Sequence, residues 1–293
     1  MPRRAHHLLV ALAAVTALAA STTGCSDDGG GAASGTSTTS SSVAPTTSLP
    51  VATTRATAAA GQPYTVWFLR DGRLSPGEAR IAATDDPARE AVEALIAGRT
   101  EVEEALGLQT GVQSNVTIQS WEQQGTTVVV GFNRALETAQ TRPQVAQIVW
   151  TLTQFPGIDA VQFLIDGRPN GATGVPPIDR FEVDEVAPPV LVDGPLPAAG
   201  LGPTTAITVD GTTAPGAAVG WRLVDGFGTP LAEGGADEVA AEPGPDGRTA
   251  WRSTVPVPEG TAGAVRLIVW DASTGVEAFP QEIPLTVGDA PGP

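Results

Sequence analysis

The chain has almost none of the side chains that carry out covalent or metal chemistry. Its 293 residues contain no lysine, one cysteine, Cys25, and two histidines, His6 and His7. Everything after Cys25 therefore lacks His, Cys and Lys. This excludes from the body of the protein the commonest general base, thiol and Schiff-base nucleophiles, and the usual zinc ligands. A disulfide bond within the chain is excluded as well.

Positive charge is also scarce. All 16 basic residues are arginine, against 32 acidic residues, and the net charge is -16. Binding of nucleic acid depends on cationic contacts with phosphate, and so does electrostatic attachment to anionic lipid. We therefore expect no nucleic-acid partner and no electrostatic hold on a membrane. The preference for arginine over lysine, together with abundant Ala, Gly and Pro, is typical of a high-GC bacterium.

The N-terminal segment, residues 1–24, has the pattern of a secretory signal peptide. Arg3 and Arg4 precede an apolar run at residues 8–20 that is too short to span a membrane. The sequence TTG before Cys25 resembles a lipobox, the small-residue motif that precedes the lipidated cysteine of bacterial lipoproteins. The resemblance implies cleavage after residue 24 and a lipid anchor on Cys25, at the outer face of the cytoplasmic membrane. The alternative is an ordinary signal peptide that is cleaved nearby and leaves Cys25 without a role.

The next segment, residues 25–61, consists mainly of Ser, Thr, Gly, Ala and Pro. Such a composition buries too little apolar surface to offset the entropy that is lost on ordering. We expect a disordered tether whose ends lie about 30 Å apart.

The most regular pattern in the chain runs from residue 143 to residue 167. Pro143 stands where a first helical turn tolerates proline, and Pro156-Gly157 ends the helical pattern with a turn. Residues 160–165 are apolar and too few for a globular helix, so they predict a buried strand. The helix between the prolines has apolar residues at the spacing i, i+3, i+4 and i+7, which are Val145, Ile148, Val149 and Leu152.

The residues before this pattern complete an α+β domain at residues 62–182. Residues 64–70 are expected to form the first strand, and Asp86-Pro87 to begin a helix. Residues 117–122 and 127–132 flank a glycine-containing turn and predict a hairpin. The predicted order is β-α-β-β-α-β, with the helices on one face of a mixed sheet, and an additional strand at residues 79–83 is left open.

This domain resembles the GerMN domain, a family named from a bacterial spore-germination protein and common in envelope lipoproteins. The resemblance rests on VWFL at residues 66–69, AVEALIAG at 91–98 and the strand at 126–132. Its most specific part is TLTQFP at residues 151–156, followed by VQFLIDG at 161–167. The family has no established catalytic residues, and the resemblance implies an interaction or assembly domain without a cofactor.

The pattern changes to all-β in residues 183–288. Turn signals such as Asp210-Gly211, Asp225-Gly226 and Asp246-Gly247 separate short apolar strands. About seven such strands predict a small sandwich. They are residues 190–192, 205–209, 218–224, 230–233, 248–255, 265–270 and 283–287. The motifs ITVDG, WRLVDG and LIVWD, in this order, resemble the immunoglobulin-like domain that often follows GerMN in such lipoproteins.

The remaining patterns predict neither a catalytic site nor a metal site. No serine of the two domains lies in a G-x-S-x-G or S-x-x-K motif, and no acidic stretch has the D-x-D-x-D-G spacing of a calcium loop. We interpret Asp86 as a helix cap, and Glu101, Glu103 and Glu104 as a solvated face. A hydrolase built on two converging acids is therefore disfavoured.

The tryptophans offer candidate contacts for a partner. Trp67, Trp150 and Trp251 lie on predicted elements and would be interface anchors if they were exposed. The alternative is that each of them belongs to a hydrophobic core, which is the more common position of such a residue.

Together these patterns predict a secreted, lipid-anchored, non-catalytic envelope protein, with no metal and no cofactor. The expected partner is an envelope protein, and analogy with similar actinobacterial lipoproteins suggests a sensor kinase or an assembly component. The alternative is recognition of a cell-wall glycan, peptidoglycan, by aromatic and acidic side chains. A binding scaffold predicts a flat apolar patch, whereas a glycan binder predicts a groove with an exposed tryptophan beside carboxylates.

Overall fold

The computed structural model of the protein describes residues 61–136, 141–169, 176–197 and 199–288. The predicted signal peptide, Cys25 and nearly all of the predicted tether lie outside these ranges, so lipidation and disorder there stay predictions. None of the helices in the described ranges is long and apolar enough to cross a membrane.

The first domain consists of a β-hairpin, helices and a mixed sheet. Its elements in chain order are β1 (Gln62–Arg70), β2 (Arg73–Ile81), α1 (Pro87–Ala97), α2 (Glu101–Ala105), β3 (Ile118–Gln124), β4 (Thr127–Phe132), α3 (Thr141–Leu152), β5 (Ala160–Ile165), β6 (Arg168–Pro169) and β7 (Ile178–Asp179). β1 and β2 form a two-stranded antiparallel hairpin, and β3 to β7 form the mixed sheet. β4 and β5 run parallel because α3 crosses over between them.

Two features of this domain differ from the predicted order β-α-β-β-α-β. The segment before the first helix forms β2, which includes the first part of the additional strand left open at residues 79–83, so the observed order begins β-β-α. In addition, β1 stays outside the mixed sheet, because polar side chains of α3 and its following turn occupy its edge. The Trp67 N–H donates to Thr151 Oγ1 at 3.1 Å, and Gln147 Nε2 donates to the Trp67 carbonyl at 3.0 Å. Gln154 bonds in the same way to both backbone groups of Thr65, so side chains replace a neighbouring strand.

The helix predictions of this domain are confirmed. Asp86 caps α1, since its carboxylate accepts from the Arg89 N–H at 3.1 Å, and Pro87 is the first helical residue. The predicted stripe of α3 is buried at all four positions, Val145, Ile148, Val149 and Leu152.

Glu103 does not lie on a solvated face, and that prediction is wrong. The residue is 2% exposed, and its carboxylate accepts from the backbone N–H groups of Thr100, at 2.6 Å, and Glu78, at 3.1 Å. Thr100 Oγ1 in turn accepts from the Glu103 N–H at 3.3 Å, which completes a capping box at the start of α2. The side chain is buried because capping turns it towards β2, whereas Glu101 stays exposed.

The second domain is a sandwich of two sheets. Its strands are β8 (Val190–Gly194), β9 (Ala199–Gly200), β10 (Ala206–Thr213), β11 (Val219–Asp225), β12 (Pro230–Gly235), β13 (Glu238–Val239), β14 (Thr249–Pro256), β15 (Gly263–Asp271) and β16 (Ala278–Val287). One sheet has the order β13-β14-β10-β8, and the other has the order β12-β11-β15-β16-β9. Side chains of both sheets, such as Val209 and Leu267, share one hydrophobic core. The predicted two-layer arrangement is therefore observed. The domain has two strands in addition to the predicted ones, β9 and β13, each of two residues.

The prediction of a turn at Asp210-Gly211 is wrong, because both residues lie inside β10. The register with β8 shifts between them, as at a β-bulge. A Cβ atom on Gly211 would overlap the Leu191 carbonyl oxygen. Glycine is therefore needed at this position because two strands approach each other closely, and not because the chain turns there.

A folded connector joins the two domains. It forms the 3₁₀ helix Phe181–Val186, which buries Val183 and Val186. Both side chains belong to the hydrophobic core of the first domain, and so does Leu191 of β8. The first core thus extends into residues that the sequence assigns to the second domain.

Arg248 fastens the second domain to this connector. The residue is 1% exposed, and Nη1 forms an ion pair with Asp184 at 2.8 Å. Nη2 donates to the carbonyls of Pro188, at 2.7 Å, and Pro189, at 3.0 Å, and Nε donates to Thr212 Oγ1 at 3.0 Å. One buried guanidinium therefore ties the connector to β10.

The turn of the β1–β2 hairpin makes a second contact with the other domain. Arg73 donates to the Ala187 carbonyl at 3.1 Å, and its guanidinium lies 4.4 Å from the centroid of the Phe279 ring. Arg70 pairs with Glu282 of β16 at 3.1 Å. The two domains are thus held at two separate places.

Candidate binding cleft at the domain junction

The three tryptophans selected from the sequence lie inside the protein. Trp67 and Trp150 are 2% and 0% exposed, and they meet edge to face with ring centroids 5.5 Å apart. Trp251 is 3% exposed, and its indole N–H donates to the Leu191 carbonyl at 3.3 Å. The structure therefore places all three in hydrophobic cores, and none of them is presented to a partner.

An open cleft of about 370 Å³ lies where the two domains meet. Its walls come from segments that are distant in sequence: the turn between α3 and β5, β7 with the start of the connector, and the turn before β14. Ile158 and Phe181 give it apolar surface, and Thr153, Arg180 and Asp246 give it polar surface. Clefts of this size and mixed lining, located between domains, are typical ligand sites.

Arg180 is held in the cleft by an aromatic ring and a hydroxyl group. Its guanidinium carbon lies 4.5 Å from the centroid of the Trp150 ring, and its Nε donates to Thr153 Oγ1 at 2.6 Å. Thr153 is itself fixed, because its hydroxyl donates to the Val149 carbonyl at 2.8 Å. Burial lowers the pKa of Arg180, and the nearby carboxylates of Asp193 and Asp246 oppose this effect. Stacking and hydrogen bonding together orient the guanidinium.

Phe181 stands next to Arg180 at the edge of the cleft and is 65% exposed. Its ring lies against Gly247 of the second domain, where an added Cβ atom would be 3.5 Å from the ring. An exposed aromatic ring held at the edge of a cleft offers a flat apolar contact to a ligand.

Carboxylates form the rest of the polar lining. Asp179 Oδ1 accepts from the Glu182 N–H at 3.0 Å, and Glu182 Oε2 accepts from the Asp179 N–H at 3.2 Å, which fixes one wall. Asp246 Oδ1 accepts from the backbone N–H two residues later at 3.1 Å. Asp159 also lines the cleft, so Arg180 is surrounded by acidic side chains.

A second concavity of about 390 Å³ lies on the outer face of the four-stranded sheet. Asp193, Asp210 and Glu238 line it together with Arg252. Burial raises the pKa of Asp193 to about 6, with Arg180 opposing the shift and Asp210 adding to it. Asp193 as a whole residue nevertheless stays exposed, and solvent screens part of this effect. Of the two concavities, the junction cleft is the candidate site, because it combines an oriented guanidinium with an exposed aromatic ring.

The polar groups of the junction cleft are arranged for hydrogen bonding and ion pairing. Its hydroxyl, on Thr153, is already engaged with the Val149 carbonyl. In the part of the chain that the structure describes, no group of three or more His, Cys, Asp or Glu side chains could hold a metal ion.

Sequence reasoning missed Arg180 and Phe181. Both lie near the end of the first predicted domain, residues 62–182, in a stretch without a predicted helix or strand, and Arg180 is remote from Trp150 in the chain. One signal was available, since an Arg-Phe pair stands in a segment that is otherwise rich in proline and acidic residues. The contact between Arg180 and Trp150 could not be predicted from this signal, because the contact forms only when the connector packs against α3.

Residues 65–171 match the protein-family model described as "Germane: Sporulation and spore germination". This match confirms a GerMN-like first domain. It covers less than half of the chain and does not extend to the second domain or to the N-terminal segment.

Several solved structures are similar to parts of the chain. The first GerMN domain of the sporulation protein GerM from Bacillus subtilis matches at 21% identity and a TM-score of 0.34, over 41% of this chain and 95% of that chain. The tandem GerMN domains of the same protein match at 17% identity and a TM-score of 0.35, over 68% of this chain and 62% of that chain, which is under two thirds of that structure. CopC from Methylosinus trichosporium OB3b matches at 14% identity and a TM-score of 0.24, over 36% of this chain and 98% of that chain. Similarity this low carries no information on function, and no curated protein sequence matches the chain.

Proposed function

We propose that the protein is a non-catalytic, lipid-anchored component of the cell envelope that binds another envelope protein at the outer face of the cytoplasmic membrane. Its GerMN-like domain and an immunoglobulin-like sandwich are held off the membrane by a tether, residues 25–61, with the anchor on Cys25. The partner is an envelope protein such as a sensor kinase or an assembly component.

The observation that supports this function is the junction cleft. It combines the stacked guanidinium of Arg180 with the exposed ring of Phe181. Arginine and aromatic side chains are frequent energetic anchors of protein interfaces. The cleft is also shaped by two domains that Arg248 fastens together, so little conformational entropy is lost when a partner binds.

Binding of a cell-wall glycan, peptidoglycan, is the second candidate. The observation that favours it is the position of Phe181 beside the carboxylates of Asp159 and Asp179. An aromatic face packs against the apolar face of a sugar ring, and carboxylates accept hydrogen bonds from its hydroxyl groups. The aromatic residue of this groove is phenylalanine, where a tryptophan was expected.

Photo-cross-linking in living cells separates the two candidates. A photo-reactive amino acid replaces Phe181 in the full-length, tethered protein, and the matched control carries it at Phe227, an exposed residue of the β11–β12 turn. We expect position 181 to capture one envelope protein that position 227 does not capture. Recovery of wall fragments alone from position 181 would contradict binding of a protein partner and would support binding of a cell-wall glycan.

The anchor is tested by Cys25→Ala in the full-length protein. We expect the variant to leave the membrane fraction, because a stable anchor needs the acyl chains that the cysteine carries. Fractionation followed by immunoblotting measures this, with Ser26→Ala as the matched control that stays in the membrane fraction. A Cys25→Ala variant that remains with the membrane contradicts the lipoprotein assignment.

A further inference from the structure

Two arginines approach the Trp150 ring, and among the described residues only Arg248 forms an ion pair with an acid, whereas Asp193 and Asp246 act on Arg180 without such a contact. Arg248 lies 5.9 Å from the ring centroid and forms an ion pair with Asp184 at 2.8 Å. The Arg180 guanidinium lies 4.5 Å from the centroid, and its Nε donates to Thr153 Oγ1 at 2.6 Å. Among the residues that the structure describes, nothing accepts a hydrogen bond from the two Nη groups of Arg180.

This geometry suits a carboxylate ligand. The Nη groups of a guanidinium form a planar fork that matches the two oxygens of a carboxylate. Trp150 and Thr153 already hold the plane of Arg180, so little side-chain freedom is lost on binding. Burial lowers the pKa of Arg180, so an anion beside it would also offset the cost of its charge.

The surroundings set a second condition on the ligand. Asp159, Asp179 and Asp246 line the same cleft, and the net charge of the chain is -16. A polyanion or a segment with several acidic side chains would therefore be repelled. A ligand that carries one carboxylate and one cationic group close together avoids this repulsion.

We propose that the cleft binds the carboxyl-terminal end of a protein partner. The terminal carboxylate lies on the Nη groups of Arg180, and a basic side chain next to the terminus faces the aspartates. An apolar side chain of the same segment packs against Phe181. Capture of a terminal carboxylate is a known mode of peptide recognition. This inference rests on the proposed function, because it specifies which part of the partner enters the cleft.

Calorimetric titration of the folded chain with the peptide acetyl-Leu-Lys-Leu tests the proposal. One probe has a free carboxylate, a second has a carboxyl-terminal amide, and a third has a free carboxylate and an acetylated lysine. We expect saturable binding of the first probe with a Kd of about 1 mM or tighter, and affinity weakened about tenfold or more for each of the others. Equal binding of the amide, or no saturable binding of the first probe, overturns the proposal.

Variants of Arg180 test the same contact from the side of the protein. Arg180→Gln removes the charged fork, and Arg180→Lys keeps the charge without the planar geometry. We expect about tenfold or greater loss of affinity for Arg180→Gln and a smaller loss for Arg180→Lys. Arg252→Gln, on the outer face of the sheet, is the matched control with unchanged affinity, and thermal unfolding confirms that each variant is folded. Unchanged affinity of a folded Arg180→Gln variant contradicts the proposal.

Cross-linking distinguishes a failure of this inference from a failure of the proposed function. If position 181 captures the same protein with Arg180 and with Arg180→Gln, the carboxylate contact is wrong while protein binding stands. If position 181 captures no protein, the proposed function is wrong. Capture of free envelope peptides in place of a protein overturns the assignment of the carboxylate to a protein terminus.

Discussion

At the residue scale, the junction depends on how each charged side chain is compensated. Arg248 is buried, yet it has an acid partner in Asp184 and carbonyl acceptors in the connector. A buried charge is tolerated only when it is paired and hydrogen-bonded in this way. Arg180 forms no ion pair among the described residues, although Asp193 and Asp246 favour its charge; it stacks on Trp150 and donates to Thr153, which leaves its Nη groups for a ligand.

Arg248→Ala is predicted to destabilise the protein by about 3 kcal/mol, because it leaves Asp184 and two connector carbonyls without their donor. Urea unfolding of wild type and variant measures the difference in the free energy of unfolding. Arg252→Ala, an exposed arginine of the neighbouring strand, is the control and should change that free energy by less than about 0.5 kcal/mol. Equal effects of the two substitutions would show that the Arg248 contacts contribute nothing.

The pKa of Asp193 leads to a prediction about pH. Burial raises it from the ordinary value of 3.8 to about 6, so the folded state binds a proton more tightly than the unfolded state. The contribution of Asp193 to the free energy of unfolding should therefore fall as the pH rises between about 4 and 7, and Asp193→Asn should remove this loss. We expect Asp193→Asn to raise the free energy of unfolding at neutral pH and to leave it unchanged at about pH 4. The gain is modest because solvent screens an exposed residue.

Asp225 provides the control with the opposite sign. The backbone N–H of Thr229, with that of Phe227, lowers the pKa of Asp225, so its contribution is present at neutral pH and is lost on acidification. Asp225→Asn should therefore destabilise at neutral pH and have little effect in acid. Urea unfolding over the same pH range measures both variants, and parallel curves for the two would contradict the assigned directions.

At the scale of elements, the contacts of the TLTQFP segment, residues 151–156, explain why it is the most specific part of the resemblance to the GerMN family. Leu152 and Phe155 enter the hydrophobic core, while Thr151 and Gln154 bond to the backbone of β1. Thr153 lines the junction cleft, and its hydroxyl accepts a hydrogen bond from Arg180. One short segment thus completes the core, occupies a strand edge and positions the candidate site.

Glu103→Ala tests the capping of α2 and its contact with β2. We expect a loss of about 2 kcal/mol, because the buried N–H groups of Thr100 and Glu78 lose their acceptor. Glu101→Ala, on the exposed side of the same helix, should have an effect within about 0.5 kcal/mol. Urea unfolding of both variants checks this, and a Glu103→Ala protein as stable as the wild type would refute the capping role.

At the scale of the whole molecule, the two domains share more than a linker. Arg248 fastens the connector on one side, and Arg73 reaches Phe279 and Ala187 on the other. The hydrophobic core of the first domain also includes Leu191 of β8. Because these contacts lie at separate places, we expect the two domains to unfold together.

Calorimetric unfolding tests this coupling. We expect one cooperative transition for the wild type and two resolved transitions for the double variant Arg73→Ala/Arg248→Ala, because each domain then unfolds by itself. Arg222→Ala, which breaks an ion pair with Glu277 inside the second domain, should keep a single transition. Two transitions in the wild type would show that the domains are independent.

The sequence predicted the features that depend on neighbours along the chain. Helix α3, the Asp86 cap and the two-layer second domain follow from local spacing, and all of them are observed. The wrong predictions concern residues whose position depends on a distant partner. Glu103 is turned by its local capping box towards β2, where it accepts from the Glu78 N–H, and Gly211 is needed where β10 approaches Leu191 of β8.

By itself, the amino-acid sequence determined that nothing after Cys25 can act through a thiol, an imidazole or an amine, since these groups are absent from it. It also determined the amphipathic elements, because helical and strand periodicity act over a few residues. Only the tertiary structure decided the burial of the tryptophans and the existence of the cleft. Thr153, Arg180 and Asp246 come from segments that meet only when the second domain packs against the first, and no local pattern encodes that contact.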